Sequence, residues 1–600
     1  MMLHCGPPYR PDLANPAIGY LKGFLEAKGI PVKNVYWNLV LLQEIQEFNK
    51  GMEFPGGSEL FTVYAVTTYL WRHLMSEDSH DKKPIDPIFS SVLSREELSQ
   101  LIELARNKIG HYITENNLYK TPIAGFTMKS YQWFLNSHVV TLLKEMNPDM
   151  TIVMGGISDA EQGRKFLKIF PQCDYAIWGE GEYPLFHLIE SLEEGTSPEK
   201  VPQLIYRNDG NIVSSSLFDE HHDLDEYPFA DHSDYFDTLQ KMPPIMRPII
   251  PIWGSRSCPW NKCKFCSLNE GYSYRSRSLE NIMEEIEFQA QEYNCDNFYF
   301  VDTELPGSKK RFKRLLKHLI QISAERNEPY HFFGGMSPIF IDPETANLMR
   351  LASFESMQVG FEAVTDALLA KMQKRQKFAH NIQVLKLGKR YQLNLDALNV
   401  IRGIPTETLD DILESCNNLK FLRFLFDTYT LLSCSFALYK GSPFYNEMSD
   451  KEREAWNYNP YWIEIAPTRL IPESDRFEFL GFFKPQHGLW DDFEMVMKFY
   501  KQQNYSYTWI EYVNGSFIEE KGPKTYRFTL DRDETDILIF CDLVKSFKEV
   551  RKRFAHIPEE NLRIILHTLN QAGFLYYDQN MDTIISVLDM TEREFIETHS

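Results

Sequence analysis

Residues 254–270 read GSRSCPWNKCKFCSLNE. Cys258, Cys263 and Cys266 stand in the spacing C-x4-C-x2-C. Three chemistries suit three close thiols. A structural zinc site needs four closed ligands. With no second C-x2-C pair, His331 or His380 would have to supply the fourth from far along the chain. A [4Fe–4S] cluster on three thiolates keeps one iron open, and an open iron binds a chelating group such as an amino acid's amino and carboxylate. Packed, unliganded thiols are the third reading. Phe265, between the last two cysteines, is placed to wall one side of a metal site.

Working outward, the flanks say where this loop sits. Strand-like runs at 249–253, 297–302, 330–334, 356–361, 394–401 and 429–438 alternate with helical runs such as SLENIMEEIEFQAQEY and DPETANLMRLAS. Six β/α units predict a partial (β/α)6 barrel over 248–445, whose chemistry lies in loops at the carboxyl ends of strands. The cysteine stretch follows the first strand directly, so it falls at that face. The zinc and packed-thiol readings leave this position unexplained.

Residues 1–195 also alternate β and α. Ala17–Lys28 and Asn136–Met146 read as helices; Val32–Trp37, Pro122–Phe126, Thr151–Met154 and Tyr175–Trp178 read as strands. This predicts a doubly wound, Rossmann-like parallel sheet. A helical, aromatic-rich insertion interrupts it over about 40–120, since a structureless loop of that length is unusual. Residues 196–247 read as a linker strap, with a hairpin around Asp209-Gly210. Residues 446–600 end in helices and a short strand, which predicts a winged-helix-like α+β module.

The composition bounds the function. Six hundred residues at 43% hydrophobic content make several well-packed domains, and nine dispersed cysteines argue against a disulfide framework. A formal charge of −21 argues against phosphate-dominated nucleic-acid binding and against docking on anionic lipid. No apolar run is long enough to span a bilayer and MMLHCGPPYRPD is not laid out as a signal peptide, so a cytoplasmic protein is expected.

The loop resembles the C-x3-C-x2-C signature of the radical SAM superfamily, with one extra residue in the first interval. The resemblance implies that Cys258, Cys263 and Cys266 hold a [4Fe–4S] cluster whose open iron binds S-adenosyl-L-methionine (SAM). QVGFE at 358–362 is similar to the G-x-E stretch whose carboxylate, here Glu362, contacts the SAM ribose. Gly334-Gly335 ends the third strand, near the place of the SAM amino-acid moiety. RGIPTE at 402–407 resembles a G-x-P-G-E segment with Thr406 in place of glycine, which implicates Gly403 and Ile404. Phe265 completes the implied SAM surroundings.

Upstream, GFT (Gly125, Phe126, Thr127), MGG (Gly155, Gly156) and GEGE (Gly179, Glu180, Gly181, Glu182) each follow a predicted strand. Together they resemble the cobalamin-binding domain of B12-dependent radical SAM enzymes. The D-x-H-x-x-G motif is missing from the loop HCGPPYRPDLANPAIG, and Asp78-Ser79-His80 is only a partial echo. This implies methylcobalamin with no histidine as lower ligand. Longer blocks, among them SRSCPWNKCKFCSLNEG and MQVGFEAVTDALLAKMQKRQKFAHNIQVLK, look like the RiPP maturation radical SAM subgroup over nearly the whole chain. That implies a ribosomal precursor peptide as substrate and an electron donor such as flavodoxin or ferredoxin. The implied reaction is methyl transfer to an unactivated carbon through a 5′-deoxyadenosyl radical. Two alternatives stand: the same cofactors used for cyclisation, oxidation or rearrangement, and a non-catalytic cluster or cobalamin sensor. No catalytic side chain is named by the sequence.

Overall fold

The computed structural model describes residues 1–7, 9–48, 95–127, 132–242, 246–267, 271–324, 326, 328–458, 471–479 and 481–596. They pack as two compact units: residues 1–255, 270–299 and 458–482 in the first, and 256–269, 300–457 and 483–600 in the second. Among the described residues, 271–299 fall in the first unit, between two stretches of the second.

The first unit is built on a seven-stranded sheet. Its strands are β1 (Met2–Cys5), β2 (Lys33–Tyr36), β3 (Ile123–Thr127), β4 (Thr151–Ile157), β5 (Tyr175–Trp178), β6 (Leu204–Asn208) and β7 (Asn211–Ser214). The order is β2-β1-β3-β4-β5-β6-β7, with the first five parallel. Every residue of β1 is buried, as a central parallel strand requires. The order reverses between β1 and β3, the switch point at which open α/β sheets leave a crevice beyond their strands. The Asp209-Gly210 hairpin forms, with φ of 48° and 79°. It adds β6 and β7 antiparallel to the sheet, so 204–214 are sheet and only the later part of 196–247 is a strap. Of the expected insertion, helices Trp37–Phe48 and Arg95–Glu115 are described; 49–94, and with them Asp78-Ser79-His80, lie outside the described residues.

The strap crosses helix Pro16–Ala27, capped by Asn15. Gly19 and Gly23 stand four apart and share a face. A Cβ on Gly19 would lie 2.3 Å from the His232 ring, and one on Gly23 only 2.1 Å from the Phe229 carbonyl oxygen. The Asp231 N–H donates to the Gly19 carbonyl at 3.0 Å. Lys22, almost fully buried, meets Asp234 at 2.7 Å and Asp231 at 3.2 Å. The close approach of backbone to backbone explains both glycines.

All six strand-like runs of 248–445 are strands: Ile250–Ile252, Asn297–Phe300, His331–Met336, Phe354–Val359, the pair Leu395–Asp396 and Asn399–Arg402, and Leu432–Ser435. In the second unit, 331–336, 354–359 and 395–396 lie side by side and parallel, as do 399–402 and 432–435. A bridge from Glu362 to Val400 links the two sets. The fifth run is split because Ala397 turns left-handed, at φ 49°.

Beyond 446 the expectation was incomplete. Helices Arg532–Phe540, Phe547–Arg553 and Glu559–Gln571 and a hairpin of Leu575–Tyr577 with Ile584–Ser586 are present. A three-stranded meander, Ser506–Tyr512, Gly515–Lys521 and Thr525–Asp531, precedes them. Asn514-Gly515 between alternating runs was the signal for it. No helix among the described residues is long and apolar enough to cross a membrane.

Two outcomes test this packing. Gly23→Ala forces a methyl against a backbone oxygen and should lower stability by about 1–3 kcal/mol. Gly110→Ala, with open space around it in helix Arg95–Glu115, should raise stability by about 0.5–1 kcal/mol. Denaturant midpoints of the two variants should therefore move in opposite directions.

Burial also pushes His4 down to about 3 and His232 down to about 4. Unfolded, both protonate near pH 6.5. The stability they contribute is therefore complete above that pH and falls as pH drops from 6.5 towards 4. The midpoint should fall between pH 7 and pH 5, and less steeply in His4→Phe.

Candidate functional site

The cysteine loop of the second unit is held by backbone and side-chain bonds to several neighbouring segments. Its own shape needs two left-handed residues, Ser257 at φ 64° and Asn261 at φ 43°. Asparagine tolerates that conformation; serine does so under strain. The Ser257 carbonyl accepts from the Thr303 hydroxyl at 2.8 Å. The Trp260 indole N–H donates to the Gln373 carbonyl at 2.8 Å, and the Lys264 N–H to the Met372 carbonyl at 3.0 Å. The Lys264 carbonyl accepts from the Phe444 N–H at 2.9 Å, and the Lys264 ammonium meets Glu447 at 2.7 Å. The extra residue between Cys258 and Cys263 is thus used: the interval turns at Asn261 and sends Trp260 out as a staple.

The three thiols are half-buried, and none of the nine cysteines forms a disulfide. Burial pushes the Cys263 thiol up to about 11; Lys374 pulls it down, and Cys266, Cys258 and Glu362 push it further. The three therefore sense each other on one loop. Among the described residues no three His, Cys, Asp or Glu side chains are drawn together as a bound metal would draw them. The donor set fits a thiolate-held iron–sulfur cluster: soft ligands, one loop, and a cation beside them to offset thiolate charge.

That cation is Lys374. Its ammonium lies 3.1 Å from Glu362 Oε1 and 5.7 Å from the Phe265 ring centroid. Burial works against its charge, but Glu362, Cys263 and Glu304 outweigh this and hold it above the ordinary lysine range. Glu362 takes φ 61°, which is strained for a side chain of this size and marks a residue fixed by its surroundings. Gln376 Nε2 donates to the Gly360 carbonyl at 2.5 Å, tying the same turn to the strand end. Glu304, buried, accepts from the Ser337 N–H at 2.8 Å and from its hydroxyl. Burial raises its carboxyl above the ordinary range, against the Ser337 bonds and the charges of Lys374 and Arg375. The sequence reading named Phe265 and Glu362 and missed Glu304, Ser337 and Lys374. Lys374 follows Glu362 by twelve residues across a helix, a spacing that carries no local signal.

The other expected SAM neighbours divide. Gly335 faces open space, with Gln358 backbone 3.9 Å from a built Cβ, whereas Gly334 packs on Leu305 at 3.0 Å. Gly403 has φ 79°, and a Cβ there would strike the Gln486 amide at 2.3 Å. Its N–H donates to Glu407 at 2.7 Å, and Glu407 also accepts from the Trp490 indole at 2.9 Å. Ile404 is buried. Gly403 and Ile404 thus form a turn shaped by Glu407.

In the first unit the switch point collects polar atoms. Gln132 Nε2 donates to the Gly6 carbonyl at 2.7 Å, and Asn136 Nδ2 to the Thr127 carbonyl at 2.6 Å. Asn38 Nδ2 donates to the Tyr9 carbonyl at 3.3 Å. Among the described residues the oxygens Gln132 Oε1, Asn136 Oδ1 and Asn38 Oδ1 are buried with no donor. Such acceptors are costly unless met by a ligand or water. His4 is sealed between Phe126, stacked at 4.3 Å, and Trp37, whose indole N–H donates to His4 Nδ1 at 3.0 Å. With Nδ1 accepting, the neutral ring carries its proton on Nε2, so neither nitrogen offers a lone pair to a metal.

The glycines expected to approach a cofactor behave differently from one another. Gly155 has open space, with only the Phe126 carbonyl at 3.9 Å, and Gly156 is left-handed at φ 74°. A Cβ on Gly125 would lie 2.7 Å from Leu3, and one on Gly179 only 2.0 Å from the Tyr272 hydroxyl. Tyr272 Oη accepts from the Glu180 N–H at 2.9 Å, and the Glu180 carboxylate is taken by Arg275. Glu182 is buried, and Gly181 precedes its helix as the N-cap. GEGE is therefore fixed chiefly by protein partners, while Gly155, Gly156, Phe126 and Thr127 lie by the open part of the edge.

Residues 254–419 match the Radical SAM superfamily. The anaerobic magnesium-protoporphyrin IX monomethyl ester cyclase of Rubrivivax gelatinosus is 23% identical over 457 residues, covering 74% of this chain and 73% of that protein. The bacteriochlorophyllide d C-12(1)-methyltransferase of Chlorobaculum tepidum is 23% identical over 289 residues, 46% of this chain and 59% of that protein. The radical SAM methyltransferase TsrM of Kitasatospora setae, solved with cobalamin and a [4Fe–4S] cluster, superposes with TM-score 0.55 at 15% identity, over 82% of this chain and 90% of its own. OxsB, a cobalamin-dependent SAM radical enzyme solved with aqua-cobalamin and SAM, gives TM-score 0.56 at 14% identity, over 83% of this chain and 65% of its own. At these identities the superpositions establish a shared fold.

The turn that holds the cysteine loop is itself pinned. Asp366 accepts from the Phe378 N–H at 2.6 Å and from the Tyr576 hydroxyl at 2.7 Å, closing the ends of 366–378. Tyr576→Phe should therefore speed hydrogen exchange of the Lys264 amide by roughly five-fold, the factor for about 1 kcal/mol. Asp366→Asn, which keeps one acceptor and gains a donor for Tyr576, should leave it nearly unchanged.

Proposed function

Starting from a chain that carries a radical SAM domain within the fold of cobalamin-bearing radical SAM enzymes, we propose a cobalamin-dependent methyltransferase. Its substrate is a ribosomally synthesised peptide, methylated at an unactivated carbon. The observation that carries the reading is the extent of the fold match: it spans 82% of this chain and 90% of a methyltransferase solved with both cobalamin and cluster. The peptide part rests on the resemblance of the long sequence blocks to RiPP maturation enzymes.

Cys258, Cys263 and Cys266 would hold the cluster. Glu362, Phe265, Gly334 and Gly335 would flank SAM, with Gly403 and Ile404 shaping a turn nearby. Gln132, Asn136 and Asn38 offer acceptors suited to the carboxamide groups of cobalamin, and Phe126, Thr127, Gly155 and Gly156 would leave room for the ring. When bound, the cluster and SAM supply a 5′-deoxyadenosyl radical and cobalamin supplies the methyl group. The chain's own part is positional and electrostatic. Lys374 offsets thiolate charge and orients the Glu362 carboxylate, which keeps Oε2 to accept from ribose hydroxyls. Glu304 and Ser337 brace the neighbouring strand end.

A second reading, the same cofactors used for oxidation or cyclisation, is favoured by the cyclase relative from Rubrivivax gelatinosus. Anaerobically reconstituted protein with SAM, reductant and the candidate peptide separates the cases. Formation of 5′-deoxyadenosine with a peptide heavier by one methyl group supports methyl transfer. A peptide lighter by hydrogen supports the second reading, and no 5′-deoxyadenosine leaves only a sensor. Cys263→Ala should abolish SAM cleavage, and Glu362→Gln should raise the KM for SAM about ten-fold, as for a lost bond to a charged group.

A further inference from the structure

Four large apolar side chains stand in solvent on two helices of the second unit, Leu409–Asn418 and Leu489–Gln502, which pack on each other. Leu409 is 53% and Leu413 47% exposed on the first; Met495 is 62% and Phe499 45% exposed on the second. The members of each pair are four residues apart, so each pair makes one stripe along its helix. The stripes meet at Cys416 and Asp492. Half-buried Cys416 follows Leu413 by three residues, and Asp492 precedes Met495 by three. Burial pushes the Cys416 thiol up, and Asp492 is close enough to push it further. Neither helix can turn its stripe inward, because Ile412 and Ser415 on one and Trp490 and Phe493 on the other already face the interior. Single exposed leucines are ordinary; several that adjoin on neighbouring helices mark a contact surface. Acids flank it. The two helices carry six Asp and Glu against two Lys. Asp411 is paired with Lys371 and Glu494 with Arg402. Among the described residues Asp410, Glu414, Asp491 and Asp492 are in no ion pair, while Lys501 is spent on the Thr430 hydroxyl at 2.6 Å.

We propose that this face docks a cationic amphipathic helix of a partner polypeptide. Apolar side chains at helical spacing on the partner would seat against Leu409, Leu413, Met495 and Phe499, as one helix lies along a pair of others. Basic residues flanking them would meet the four unpaired carboxylates, which set the orientation and speed the encounter. A second copy of this chain is a poor occupant. Its formal charge is −21, and its long basic helix, Lys309–Ala324, already turns Phe312, Leu315, Leu316 and Leu319 into the core. Anionic lipid meets the same repulsion. Helix Leu409–Asn418 follows strand Asn399–Arg402, and a helix placed so lies on the outer side of its strands. The partner would therefore bind outside, and docking there needs no bound cofactor and holds whichever reaction the chain performs.

Fluorescence anisotropy of the full-length protein tests this. The probe is a labelled peptide of lysines and leucines, about fourteen residues long, with the leucines at the helical period. A scrambled isomer of equal charge but without the apolar stripe should bind about ten-fold more weakly, and so should a version with glutamate for lysine. Leu413→Gln and Phe499→Gln, both at exposed positions, should each weaken binding of the probe about ten-fold. The double change Asp410→Asn and Asp492→Asn should weaken it several-fold and flatten its salt dependence. Met146→Gln, at an exposed apolar position of the first unit, should leave binding unchanged. Equal binding of either control peptide, or wild-type binding by both glutamine variants, overturns the proposal. Sedimentation of the protein alone covers the remaining occupant: a dimer that Leu413→Gln splits assigns the face to a second copy and overturns the proposal as well.

Discussion

Two backbone oxygens, those of Met372 and Gln373, are the constraint on which the cysteine site depends. A loop that must present three thiols at one place cannot be a strand or a helix, so its N–H groups lack regular partners. Such donors need partners from elsewhere in the chain. The turn after helix Asp366–Lys371 meets them, taking the Lys264 amide and the Trp260 indole. Gln373 takes the left-handed conformation, φ 53°, in doing so. Each such bond contributes only about 1 kcal/mol net, so the hold is collective. Lys374 on Glu362, Gln376 on Gly360 and Asp366 between Phe378 and Tyr576 turn one short segment into a rigid anvil.

The first unit reaches an open edge by a different route. Its strand order reverses at β1 and β3, and a crevice opens outside the strands' carboxyl ends there. Gln132 and Asn136 use their amide nitrogens on the Gly6 and Thr127 carbonyls, and so leave a buried, unmet oxygen each. The pattern is that of a site shaped for donors. His4, by contrast, is a core residue, stacked on Phe126 and accepting from Trp37, and its burial depresses its pKa.

Much of the fold was legible because its signals are local. Apolar spacing over AIGYLKGFLEAK, the strand runs of 248–445 and the Asp209-Gly210 turn all state their structure within a dozen residues. The Cys258, Cys263 and Cys266 spacing named a loop chemistry for the same reason. The meander at 506–531 was equally local, through Asn514-Gly515, and went unread. GEGE was legible as a strand-end motif, but its glycine turned out to answer to Tyr272 and its glutamate to Arg275, a partner 95 residues on.

The sequence by itself determined the elements, the cysteine loop and its place after a strand, because hydrophobic period and short motifs are properties of neighbours in the chain. Tertiary structure alone decided which groups surround that loop. Lys374, Glu304, Ser337 and Tyr576 come to one site from separate elements, and their charges and hydrogen bonds gain their worth only where burial removes competing water. The same holds for Gly19 and Gly23, small because a strap more than two hundred residues away needs the space.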